Sequence, residues 1–96
     1  MTEISVVMPL YNQESVVEQA IKSVLEQTFE QWELIIVDDC SSDNSRDVAA
    51  RLIEHCPKAK LICLKENSGS PIIPRNTAIR EAAGKYILPL DADDVL

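Results

Sequence analysis

Leu34-Ile35-Ile36-Val37-Asp38-Asp39 decides how this chain folds: four consecutive apolar residues run without a polar break into two adjacent acids. A strand exposed on one face alternates apolar and polar side chains, whereas a strand covered on both faces does not. The stretch therefore reads as a strand in the middle of a parallel sheet, with its acids just past the carboxyl end. Working outward, Ile4-Ser5-Val6-Val7-Met8 is an earlier run of the same kind, stopped by Pro9. Leu61-Ile62-Cys63-Leu64 and Tyr86-Ile87-Leu88 are later ones.

Helical spacing fills the intervals. Val16, Val17, Ala20, Ile21, Val24 and Leu25 form one apolar stripe, with Asn12 as its expected N-cap. Val48, Ala49, Leu52, Ile53 and Cys56 form a second, capped by Ser41 or Ser42. Ala78, Ile79, Ala82 and Ala83 mark a third, closed by Gly84 at the C′ position. Pro71 suits a first helical position, but Pro74 would then lie too deep, so the regular helix is expected from about Pro74.

Strands alternating with amphipathic helices predict an α/β fold. It is a Rossmann-like, doubly wound, mainly parallel four-stranded sheet with helices on both faces. The common winding order sets strands one and four side by side at the switch point, where ligands bind beyond the carboxyl ends. Pro9-Leu10-Tyr11-Asn12, Asp38-Asp39 and Asp91-Ala92-Asp93 all follow strands and fall on that one rim.

Ninety-six residues, 46% of them hydrophobic, allow one domain with a modest core. A net charge of −7 argues against nucleic acid as a partner. Cys40, Cys56 and Cys63 are odd in number and lack Cys-x-x-Cys spacing, which disfavours a zinc site or disulfide framework and favours a reducing cytosolic setting. They read as packing residues, with Cys40 near the rim. No apolar run is long enough to span a bilayer, and the N-terminus has no signal-peptide pattern. With Gly69 and Gly84 as the only glycines, the chain has neither a dinucleotide fingerprint nor a P-loop. A bound nucleotide diphosphate would need another source of positive charge.

Leu88-Pro89-Leu90-Asp91-Ala92-Asp93-Asp94 supplies a candidate for holding that charge. On an extended segment residues two apart point the same way, so Asp91 and Asp93 are expected to present their oxygens together to Mg²⁺ or Mn²⁺. A lone Asp-x-Asp is also a common acidic turn; its place on the rim favours the metal. Asp38 and Asp39 can bond a ribose hydroxyl or base N–H, or serve a local turn, and the two can divide these roles. Tyr11 can stack on a base or simply pack. Arg75-Asn76 can meet a phosphate or the carboxylates, or make a surface ion pair. His55, the single histidine, reads as surface, and Trp32 as packing.

Taken in succession, the motifs resemble the N-terminal donor-binding half of a family 2 glycosyltransferase with the glycosyltransferase A fold. The matching stretches are Ser5–Asn12, Ser23–Thr28, Ile36–Ser45, Glu66-Asn67-Ser68-Gly69, Arg75–Ile79 and Leu90–Asp94, which span nearly the whole chain in order. The resemblance implies a nucleoside-diphosphate sugar donor, most often a UDP-sugar, bound with Mn²⁺ or Mg²⁺. It implies that Pro9, Tyr11 and Glu14 border the nucleotide, that Asp39 contacts uridine with Asp38 supporting the turn, and that Arg75 lies near base or phosphates. Asp91 would approach the ribose or metal-bound water, and Asp93 would coordinate the metal.

Family members mostly invert the anomeric centre with a downstream acid as base, so that base is expected beyond Leu96, along with the half that binds a sugar, lipid-linked or polysaccharide acceptor. Residues 1–96 would then be a donor-binding part truncated after the Asp-x-Asp motif, inactive alone, with a sheet edge open to self-association. The expected location is the cytoplasm, including the inner face of a membrane through other parts of the parent. Cys40 stands where many relatives have Gly, and Ser70–Pro74 is more proline-rich than usual.

Two other readings compete. Asp91-Ala92-Asp93-Asp94-Val95 also fits the Asp-x-Asp-x-Thr/Val pattern of haloacid-dehalogenase-like phosphohydrolases, although that motif normally follows the first strand of its fold. A module that binds nucleotide and metal without chemistry is the non-enzymatic alternative.

Overall fold

In the computed structural model, residues 2–27, 30–70 and 72–94 are described. They form β1 (Ile4–Leu10), α1 (Val17–Leu25), β2 (Trp32–Asp38), α2 (Ser45–Leu52), β3 (Ala59–Cys63), α3 (Ile72–Glu81) and β4 (Tyr86–Pro89). The sheet order is β3-β2-β1-β4 with every pairing parallel, so β1 and β4 adjoin as the winding order requires.

The unbroken apolar run of β2 has the cause inferred for it. Leu34 and Ile36 enter the core under α1 and α2, while Ile35 and Val37 enter a smaller core under α3. On β1, Val6, Met8 and Leu10 face the first layer and Val7 the second. Val17, Ala20, Ile21 and Val24 of α1, with Ala49 of α2 and Ile53 just after it, close the larger core. Leu90 and Ala92, in the segment after β4, reach into it too.

Several local expectations are corrected. Pro9 does not stop β1; it pairs with Val37, and the strand continues to Leu10. Alternate residues of a parallel strand bond to opposite sides. Glu3 and Val7 accept from Tyr86 and Leu90 on the β4 side, so the nitrogen of Pro9 faces the side where β4 pairing has already ended. The same alternation turns the nitrogen of Pro89 away from β1, towards the free side of β4.

Neither expected helix cap exists, since α1 and α2 lack any side-chain cap bond. Asn12 takes a left-handed φ of 49° and bonds a different loop. β3 runs from Ala59 rather than Leu61. α3 begins at Ile72, two residues before Pro74, whose missing N–H costs nothing in a first turn that has no intrahelical acceptor. The Ser70 hydroxyl accepts from the Ile72 N–H there, at 3.1 Å. Pro71 lies outside the described residues.

Gly84 is not a left-handed C′ residue. It lies where the chain passes so near β1 that a Cβ would come within 2.5 Å of Ser5 Oγ and 2.7 Å of the Ser5 nitrogen. Its N–H donates to Ser5 Oγ at 2.8 Å. That hydroxyl donates to Glu33 Oε2, which also accepts from the Ala83 N–H.

Among the cysteines, Cys56 packs against the larger core, whereas Cys63 is exposed, against expectation. Trp32 is buried with Lys58 Nζ 4.9 Å from its ring centroid, and His55 is on the surface beside Glu54. Both faces of β4 are open: Tyr86, Ile87 and Leu88 are exposed, as are Ile72, Ile73 and Ile79 on α3. No helix among the described residues is long and apolar enough to cross a membrane.

Candidate functional site

A cavity of about 510 Å³ opens at the carboxyl ends of the strands. It is walled by Pro9 and Leu10 at the end of β1, Tyr11 and Gln13 after it, Asp39 after β2, and Asn67, Gly69 and Ser70 before α3. Pro74 and Arg75 in α3, and Asp91, Ala92 and Asp93 after β4, complete it. Small-molecule sites commonly fall between roughly 300 and 1,000 Å³ and sit at such a switch point.

The two acids after β2 divide sharply. Asp38 is fully buried and turned into its own loop, where Oδ2 accepts from the Ser41 N–H at 3.0 Å and Oδ1 from the Ser41 hydroxyl at 2.5 Å. An aspartate bonding the backbone three residues on is a turn former. Asp39 lines the cavity instead. Its N–H donates to the Leu10 carbonyl, fixing it between β1 and β2, and its carboxylate accepts from the N–H and hydroxyl of Ser68.

Tyr11 stands half-exposed on the cavity wall, in a loop held from beneath. Asn12 Oδ1 accepts from the N–H groups of Ser42 (2.8 Å) and Asp43 (3.3 Å), and the N–H of Gln13 donates to Ser45 Oγ (2.7 Å). Glu14 belongs to this clasp and does not line the cavity: its Oε1 accepts from the Asn44 N–H and its own N–H donates to Asp43 Oδ2. Burial alone would raise the Asp43 carboxyl, but the Ser45 hydroxyl and amide and the Glu14 amide outweigh it and hold the group below its ordinary value of 3.8. Its contribution to the clasp is therefore present above that value and is lost as the pH falls through the lowered one.

Arg75 projects from the first turn of α3. One terminal nitrogen lies 3.8 Å from Asp91 Oδ1, a long ion pair, and Nε is buried without a hydrogen-bond partner. A buried donor left unpaired costs about 1–3 kcal/mol, so the position calls for an acceptor in the cavity.

The acidic end is built differently from its sequence expectation. β4 stops at Pro89, and residues 91–94 form a turn closed by the Asp94 N–H on the Asp91 carbonyl at 2.9 Å. The turn, rather than strand alternation, gathers the carboxylates, and it adds a third. Oxygens of Asp91, Asp93 and Asp94 lie within 4.8 Å of one another, all on exposed residues. Ala92 between them is buried and anchors the turn. An all-carboxylate, solvent-facing donor set fits a hard divalent cation that keeps several waters, as Mg²⁺ and Mn²⁺ do.

Of the eight candidate residues, six line the cavity: Pro9, Tyr11, Asp39, Arg75, Asp91 and Asp93. Asp38 and Glu14 support its walls. Sequence reasoning assigned no role to Asn67, Ser68 or Asp94. Asn67 and Ser68 lie in a polar turn, and Asp94 extends an acidic run, but nothing local tells which partner each one meets.

Known proteins share this fold. The family described as Glycosyl transferase family 2 matches residues 5–96. A putative teichuronic acid biosynthesis glycosyltransferase, TuaG of Bacillus subtilis, is 41% identical over 91 residues, covering 95% of this chain and 36% of its own. The crystal structure of Staphylococcus aureus TarS 1–349 in complex with UDP-GlcNAc superposes with a TM-score of 0.92 at 33% identity, over 98% of this chain and 27% of that one. The mannosyltransferase PcManGT from Pyrobaculum calidifontis, in complex with GDP-Man and Mn²⁺, superposes at 0.88 with 28% identity, over 97% of this chain and 28% of that one. The chain thus spans between 27% and 36% of the length of these relatives. Its match along nearly all its length, with the same fold, makes it a member of glycosyl transferase family 2.

Proposed function

We propose that this chain is the donor-binding part of a glycosyltransferase that takes a nucleoside-diphosphate sugar, a UDP-sugar in the first instance, together with Mn²⁺ or Mg²⁺. The observation that carries the reading is the convergence of Tyr11, Asp39, Arg75, Asp91 and Asp93 on one cavity at the switch point. Tyr11 offers a face for the base, and Asp39 accepts a base N–H. Arg75 turns its unpaired Nε to an oxygen of the diphosphate. Asp91 and Asp93, with Asp94 beside them, hold the cation. When bound, that cation supplies Lewis-acid stabilisation of charge on the departing nucleoside diphosphate.

Transfer to an acceptor hydroxyl on a sugar, lipid-linked chain or polymer requires a base to take the hydroxyl proton. We place that base, and the acceptor site, beyond Leu96, with residues 1–96 as the donor part of the domain. Inversion at the anomeric carbon and lack of turnover by residues 1–96 alone belong to the same proposal. The net charge of −7 argues against a nucleic-acid partner.

Calorimetric titration of UDP tests the reading: heat is expected with Mn²⁺ present and lost when EDTA removes it. Binding indifferent to EDTA, or none in the intact protein, would refute it.

The open side of β4 adds a second proposal. With Tyr86 57% exposed and Ile87 and Leu88 uncovered, this edge is expected to make residues 1–96 associate with themselves. Sedimentation should show mass rising with concentration; a constant monomer mass would overturn it.

A further inference from the structure

The carboxylate of Asp39 is held harder than an exposed base contact would be. It is only 4% exposed. Its Oδ1 accepts from the Ser68 N–H at 2.9 Å and its Oδ2 from the Ser68 hydroxyl at 2.7 Å, so one residue grips both oxygens. Asn67 Nδ2 donates to the Asp39 carbonyl at 3.3 Å, drawing the same loop onto the same residue. The Ser68 hydroxyl also lies 2.8 Å from the Ser70 carbonyl, but its single proton goes to the charged acceptor. Gripped this way, the carboxylate cannot turn about its own axis, and each oxygen keeps one further lone-pair direction.

Resting on the donor-site reading above, we propose that Ser68 is a positioning residue that fixes the Asp39 carboxylate as an acceptor and thereby selects uracil over cytosine in the nucleotide. Uracil presents an N3–H donor, flanked by two carbonyls, along its Watson–Crick edge. Cytosine presents a bare N3 lone pair at that place and a donor only at its exocyclic amine. A fixed acceptor complements the first and opposes the second. A carboxylate released from Ser68 would rotate to reach the cytosine amine and lose the distinction. Sites built to meet a particular donor discriminate strongly, because the wrong ligand leaves a buried polar group unpaired.

The test is titration of UDP and of CDP, each with Mn²⁺, into the intact protein and its Ser68→Ala and Ser68→Thr variants. Ser68→Ala is expected to weaken UDP binding about 10-fold, the scale of one hydrogen bond to a charged group, while CDP changes less than about 2-fold. Ser68→Thr, which keeps the hydroxyl, should restore the original UDP-to-CDP ratio. The ratio is read within each variant, so a reduced competent fraction scales both affinities alike and leaves it unmoved. Should Ser68→Ala not fold, Ser68→Cys, a weaker donor, should give an intermediate ratio. Equal losses for UDP and CDP, or an unchanged ratio, would overturn the assignment while leaving the donor site standing. A wild-type protein without metal-dependent UDP binding would overturn the donor site and this inference with it.

Discussion

Replacing Asp93 by alanine is expected to lower Mn²⁺-dependent UDP affinity by roughly 100-fold or more, since even residues that merely support a metal ligand change its affinity 10–100-fold. Three carboxylates with oxygens within 4.8 Å of one another repel when no cation lies between them. Removing one therefore does not harm the fold. Asp93→Ala should unfold at the same temperature as the wild type, or slightly higher, when metal is absent, and should lose the stabilisation that Mn²⁺ with UDP confers on the wild type. This pairing separates a ligand from a structural residue. Asp94→Ala grades the third carboxylate by the same titration, because Asp94 was drawn into the cluster by its backbone bond to Asp91. Full metal dependence surviving in Asp93→Ala would remove that residue from the metal site.

Gly84→Ala should have the largest effect on stability, and for a reason remote from the cavity. A methyl group there would lie 2.5 Å from Ser5 Oγ, 2.7 Å from the Ser5 nitrogen and 2.9 Å from the Ile4 carbonyl carbon. Two of these are backbone atoms of a strand paired on both sides, so no side-chain rotation relieves the contact. Moving the segment away breaks the Gly84–Ser5 bond and loosens the half-buried Ser5–Glu33–Ala83 network. Overpacking alone costs about 1–3 kcal/mol. The upper part of that range applies here, and at about 4–8 °C per kcal/mol for a domain of this size it corresponds to a fall of roughly 10–20 °C in Tm. Gly69→Ala is the contrast: nothing lies within 4 Å of its absent Cβ, and only its φ of 75° opposes a side chain. If Gly84→Ala unfolds no earlier than Gly69→Ala, the close passage of the chain over β1 is not a constraint.

What could be read in the sequence is what depends on periodicity. Leu34–Val37 announced a strand covered on both faces because burial of both faces removes alternation, and that single fact fixed the sheet class and the rim. Asp38 and Asp39, Tyr11 and the acids after Leu90 were legible because strand ends point to one rim whatever the loops do, and Arg75 because it stands where a helix opens.

Contacts across long separations were not legible. Asn12, Ser41 and Ser42 look like helix caps to any reading that sees only a few residues ahead, yet they bond one another across the two loops: Asn12 Oδ1 accepts from the Ser42 N–H and hydroxyl, and the Ser41 hydroxyl accepts from the Asn12 N–H. Gly84 showed itself as a helix terminator because its reason, Ser5, lies 79 residues away. The role of Ser68 was hidden for the same cause, since it lies 29 positions from Asp39. The acidic cluster was found for an incomplete reason: alternation foresaw Asp91 with Asp93, and the turn supplied Asp94 as well.

The orientation of Pro89 has a consequence for what can join the sheet. On the free side of β4 the donors belong to Lys85, Ile87 and residue 89, and the last has no hydrogen to give. A strand laid against this edge finds a donor at Ile87 and a blank two residues on, whatever its register, so the ladder weakens towards the carboxyl end of β4. The edge is thus blunted at its rim end: a neighbour can zip along it only as far as Ile87 before the donors run out, and that limit comes from an atom that is not there.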